Sequence, residues 1–136
     1  MPHDAQPWEY VVHIPHDPRA VTVCRHTLRA ALTLHGLDRV TDVAELLATE
    51  LVANAVRHTK GPVSFRLLWA DGVLRIGAWD ADPLLPEPPP SPAADMEEQG
   101  RGLDLVRACA DTWGWHPQPE EGGDAGKYVW CELDAA

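Results

Sequence analysis

Between Asp38 and about Lys60 apolar residues recur at helical spacing, and part-way along that helix the core-facing stripe changes character. Val43 and Leu47 lead into Glu50, Asn54 and His58, which fall at i, i+4 and i+8 and so share one side of a 3.6-residue helix. A carboxylate and an amide on an apolar face cost roughly several kcal/mol unless something is paired with them. The pattern therefore points to a ligand against this face.

The flanking segments follow the same logic. Trp8 to Ile14 is rich in β-formers and predicts a first strand. His16-Asp17-Pro18 offers an N-cap followed by proline at the first helical position, and the helix runs to about His35, where Gly36 ends it. Its inward positions include Val21, Cys24, Leu28, Ala31 and Leu32. After Gly61-Pro62 the period changes to two: Val63, Phe65, Leu67 and Trp69 alternate with their neighbours. Ala70-Asp71-Gly72 is a hairpin signal, and Val73 to Asp80 forms the return strand.

Residues 83–99 hold six of the thirteen prolines and then the acids Asp95, Glu97 and Glu98. Proline at that density excludes a helix or a central strand, and a loop of this length within a domain is usually functional. Gly100-Arg101-Gly102 opens a predicted third helix to about Asp111, with Leu103, Val106 and Ala110 inward. Trp113 to His116 and Lys127 to Leu133 predict two closing strands, joined by a turn over Glu121 to Gly126. The order β-α-α-β-β-α-β-β predicts an α+β, two-layer α/β sandwich with helices on one face of a mixed sheet.

Length and charge narrow the function. The 136 residues suit one domain spanning 1–136. No stretch is long or apolar enough to cross a bilayer and the N-terminus lacks signal-peptide architecture, so a cytoplasmic protein is expected. Cys24, Cys109 and Cys131 have no CxxC spacing and read as thiols in apolar surroundings. A net charge of −10 without a basic stripe argues against direct nucleic-acid binding.

Three further signals accompany the polar stripe. Asp80 and Asp82 stand where an apolar strand leaves for the long loop. The Gly100-Arg101-Gly102 turn places the free N–H groups and dipole of a helix start where an anion could bind. Gly126-Lys127 enters the last strand.

Together these segments resemble the Bergerat nucleotide-binding fold of type II topoisomerases and sensor histidine kinases. The ExxxN helix, the Asp after the hairpin, the loop and the GxG helix match its N-box, G1 box, ATP lid (83–99) and G2 box. No long helix carrying a phospho-accepting histidine precedes the first strand, so the sensor-kinase arrangement is not expected. Glu50-Leu-Val-Ala-Asn54-Ala-Val-Arg-His58 and Gly100-Arg-Gly-Leu-Asp-Leu-Val106 resemble actinobacterial members of the anti-sigma-factor, or switch-protein, serine kinase group.

The resemblance implies ATP and Mg²⁺ as cofactors. Asn54 would ligate Mg²⁺, and Glu50 would act as general base or orienter for a serine hydroxyl. Asp80 would accept from the adenine amine, and Gly100 and Gly102 would let backbone amides approach the phosphates. Arg101, Leu103 and Lys127 join the nucleotide-binding set, with His58 and Thr59 at the pocket edge. The implied partners are a sigma factor and a STAS-domain antagonist, with no direct nucleic acid, no membrane and a possible homodimer.

Three features depart from the family pattern. Asp82 stands where a Gly is usual, Tyr128 replaces a frequent Thr, and residues 83–99 contain no Lys or Arg. A triphosphate carries about four negative charges, so Arg101, Mg²⁺ and helix amides must balance it. Nucleotide binding and phosphoryl transfer are therefore separate expectations. The alternative to a kinase is a non-catalytic, nucleotide-dependent protein-interaction module.

Overall fold

The computed structural model describes residues 6–59, 62–81, 109–119 and 126–134. Within them, in chain order, lie β1 (Trp8–Ile14), α1 (Arg19–Leu34), a 3₁₀ turn (Asp38–Val40), α2 (Thr41–His58), β2 (Val63–Ala70), β3 (Val73–Asp80), β4 (Thr112–Pro117) and β5 (Lys127–Asp134).

Local chemistry accounts for the ends of these elements. The Arg19 backbone N–H donates to Asp17 Oδ1 at 2.9 Å, so Asp17 caps the helix that Pro18 enters with φ −56°. The Arg19 side chain also grips this carboxylate, holding the Asp17 pKa down to about 2. At the other end Gly36 adopts φ +74°, Leu37 N–H reaches Leu32 O at 2.8 Å and Gly36 N–H reaches Thr33 O at 3.2 Å. This is a Schellman closure, for which a residue without Cβ is the cheapest choice. Asp71 (φ +53°) and Gly72 (φ +80°) make the two-residue type I′ turn between β2 and β3. The second helix begins later than its pattern predicts, because Asp38–Val40 is wound as a 3₁₀ turn.

The five strands form one sheet in the order β1-β2-β3-β5-β4, and every pairing is antiparallel. The expected mixed sheet is thereby corrected. β5 lies between β3 and β4 and is antiparallel to both, so β4 does not pair with β3 as a parallel neighbour. The α+β sandwich itself stands. α2 packs across β2, β3 and β5, and α1 packs beside α2.

Strand alternation divides the sheet into two faces. On the inner face Phe65, Ala78 and Val129 lie in one cross-strand row, and Leu67, Ile76 and Cys131 lie in the next. These residues share one core with Cys24, Leu28, Ala31 and Leu32 of α1 and with Leu47, Leu51 and Val52 of α2. Val21 and Val43 are only partly buried against it. Cys24, Cys109 and Cys131 are free thiols, and burial pushes the pKa of both Cys24 and Cys131 up to about 12.

On the outer face flat rings lie across glycines. A Cβ at Gly77 would collide with the Tyr128 ring, and one at Gly114 would collide with the Trp130 indole. Arg75 stacks on Trp130 at 4.3 Å while bonding Glu132, and Arg66 lies 5.6 Å from the centre of the Tyr128 ring. Aromatic and guanidinium groups thus cover a face that carries no described helix. No helix among the described residues is long and apolar enough to cross a membrane.

Candidate functional site

One end of the inner face is polar. Register aligns Ile14, Val63, Asp80, Lys127 and Pro117 in the row beyond Phe65–Ala78–Val129. Asp80 and Lys127 occupy positions of core-facing parity, each with 1% of its surface exposed. The Lys127 Nζ donates to Asp80 Oδ1 at 3.0 Å. Two opposite charges have been taken out of water together, and each helps to compensate the other.

α2 ends near this row. Three residues separate Thr59 from Val63, a span of at most about 14 Å, and Val63 pairs directly with Asp80. The last turn of α2 is also fixed from β1. His16, two residues beyond β1, donates from Nε2 to Val56 O at 2.9 Å, satisfying one of the carbonyls that a helix end leaves without an intrahelical partner. The last turn of α2, one turn after Asn54, is thereby fixed near the polar end of the sheet.

Glu50 and Asn54 lie one turn apart on α2, Glu50 half-buried and Asn54 buried with 5% exposed. His58 closes the helix and Thr59 follows half-buried. The His58 side chain, Asp82, and Gly100, Arg101, Gly102 and Leu103 with the helix expected to start there lie outside the described residues, as does the 83–99 segment.

The chemistry of this donor set suits a nucleotide and its metal. Asp80 is a strong acceptor in a dry site, fitted to an exocyclic amine. The Asn54 amide oxygen is a hard ligand. Among the described residues no group of three or more His, Cys, Asp or Glu side chains could hold a metal by itself. Mg²⁺ fits such a place, since it takes one or two protein ligands and completes its octahedron from phosphates and water.

Two features here were not legible as chemistry in the chain. The resemblance implies Lys127 as a nucleotide contact, whereas the structure shows its ammonium as a counter-ion of Asp80. The available signal was a lysine at the core-facing parity of an otherwise apolar strand. Tyr128, counted among the departures, projects to the outer face, because it alternates with Lys127 and pairs with Trp79. Its ring lies over Gly77, and burial pushes its hydroxyl up to about 12. Tyr in place of Thr therefore leaves the Asp80–Lys127 side of the sheet untouched.

Comparison with known proteins bears on the family. The family model of the histidine kinase-like ATPase domain matches residues 14–130, from the end of β1 into β5. An uncharacterized protein of Streptomyces coelicolor is 38% identical over 87 residues, covering 62% of this chain and 78% of that relative.

Proposed function

The chain belongs to the family of histidine kinase-like ATPase domains, and from that premise we propose that it is an anti-sigma-factor-like serine/threonine kinase. It binds Mg-ATP, phosphorylates a small STAS-type antagonist protein, and holds a sigma factor inactive. What supports this reading is the buried Asp80–Lys127 pair at the end of the sheet toward which the last turns of α2 lead.

Each residue has a part. Asp80 accepts from the adenine amine, with Lys127 keeping its charge compensated. Asn54 would hold Mg²⁺ through its amide oxygen, and the metal would supply compensation for phosphate charge. Glu50, on the less buried side of the stripe, takes the proton of an incoming serine hydroxyl. The serine oxygen bonds to the γ-phosphorus as the bond to the ADP oxygen breaks, so the proton passes to Glu50 and ADP leaves. The family resemblance assigns Gly100, Arg101, Gly102 and Leu103 to the phosphates and His58 to the pocket edge.

The test is radiolabelled ATP with purified STAS proteins from the same genome. Label on a partner serine, reduced 100-fold or more in Glu50→Ala, is the expected result. No transfer to any partner, with Glu50→Ala indistinguishable from the parent, removes the kinase. Calorimetry separates the remaining case. Mg-ATP binding that Asn54→Ala abolishes, without turnover, leaves a nucleotide-dependent interaction module, the reading that the acidic 83–99 segment favours.

A further inference from the structure

A cleft of about 400 Å³ opens between the start of α1 and the last two turns of α2. Pro18, Val21, Ala53 and Val56 wall it, and His16 and Arg57 stand at its rim. Its walls are held in place, because the His16 ring is tied to Val56 O. Nothing in the assignments above uses it.

Its position relative to Glu50 gives it a meaning. On a 3.6-residue helix Glu50, Ala53 and Arg57 lie at i, i+3 and i+7 and share a stripe. The cleft therefore starts one turn beyond Glu50. Arg57 closes it roughly 10 Å along the helix axis, at 1.5 Å per residue. Arg57 is exposed, and among the described residues no carboxylate pairs with it, although the chain carries a net charge of −10. An exposed cation lining an apolar cleft is complementary to an apolar group followed by an acid.

We propose that this cleft docks the phospho-acceptor segment of the protein substrate, taking an apolar side chain between Pro18, Val21, Ala53 and Val56 and an acidic one at Arg57. The proposal rests on the reading of Glu50 as the group that faces the acceptor hydroxyl. An extended chain advances about 3.3 Å per residue and turns alternate side chains to the same face. With the serine at Glu50, the next same-face residue lies about 6.6 Å on, over Ala53 and Val56. The one after lies about 13 Å on, within reach of the Arg57 guanidinium. The recognised pattern is accordingly serine, apolar residue two positions away and acid four positions away.

Fluorescein-labelled twelve-residue peptides test this by anisotropy with the full chain and a non-hydrolysable Mg-ATP analogue. One set carries Ser, Leu and Asp at that spacing in both chain directions. The controls replace Asp with Asn, Leu with Ala, or shift the acid by one residue. The matched peptide in one direction should bind at least tenfold more tightly than its controls. Arg57→Ala should abolish the Asp/Asn difference, and Val21→Trp, which fills the cleft from α1, should abolish the Leu/Ala difference. Both variants should keep the parent circular dichroism.

Equal affinities, no measurable binding of any peptide, or discrimination that survives Arg57→Ala would each overturn the proposal. Self-association of the chain that Arg57→Glu abolishes would give the cleft to a second copy and overturn it as well. Glu50→Gln separates the two readings. Peptide discrimination that persists when no phosphoryl transfer is detectable in parent or variant upholds docking while the kinase fails. Transfer without discrimination does the reverse.

Discussion

Replacing Lys127 by Met removes a cation from a site where it has 1% of its surface in water and leaves the Asp80 carboxylate, equally buried, without its 3.0 Å partner. Methionine is close to lysine in volume, so packing changes little and the effect is electrostatic. Breaking one side of a buried ion pair costs about 3–5 kcal/mol, far more than a surface pair is worth. A chain of 136 residues unfolds with an entropy of roughly 0.29 kcal/mol/K near its midpoint, at about 2.1 cal/mol/K per residue. Lys127→Met should therefore lower Tm by roughly 10–17 °C in calorimetry, and lower the urea midpoint with an unchanged slope.

The double variant Lys127→Met with Asp80→Leu removes both charges and should recover most of that loss, since an apolar pair can replace a buried ion pair at little cost. Nucleotide binding should vanish in the double variant even though its stability returns, because the adenine acceptor has gone. A loss below about 1 kcal/mol in Lys127→Met, or a double variant no more stable than the single one, would refute the claim that the pair is a compensated buried unit.

Other perturbations test other parts of the fold. Gly77→Ala should cost about 1–3 kcal/mol, because the new methyl meets the Tyr128 ring. The cost should shrink when Tyr128→Ser is added, as chemical denaturation of the two variants would show. His16→Ala removes the donor to Val56 O and should cost about 0.5–1.5 kcal/mol, with faster amide exchange confined to the last turn of α2. Stability should fall above pH 9, where thiols of the unfolded chain ionise while Cys24 and Cys131 stay protonated up to about 12. The folded state then binds more protons, so each ionising group costs about 1.4 kcal/mol per pH unit. Urea titrations from pH 8 to 11 read that slope, and a flat profile would contradict the burial of these thiols.

Much of the site could be read along the chain because it depends on neighbours in sequence. Glu50 and Asn54 are one turn apart on any helix, and a stripe that passes from Val43 and Leu47 to polar groups is visible before any folding. The same holds for the Asp17 cap, the Gly36 closure and the Asp71-Gly72 turn, each of which is set by the conformational limits of two or three adjacent residues. The boundary at Asp38 was less legible. A 3₁₀ turn and the first turn of an α-helix have nearly the same residue preferences, and packing decides between them.

What the sequence alone determined, then, is the identity and order of the described elements, the inward faces of α1, α2 and the β2–β3 hairpin, and the candidate polar stripe, because periodicity is a local property. The tertiary structure decided which strands meet. It placed β5 between β3 and β4 and made every pairing antiparallel. It joined Asp80 to Lys127 across 47 positions and His16 to Val56 across 40. It also turned Tyr128 away from the site that its position in the chain had suggested. Alternation specifies the side of a residue only relative to its own strand. The register of segments far apart is set by the burial that they achieve together, and so only the assembled sheet could show that two isolated charges were one pair.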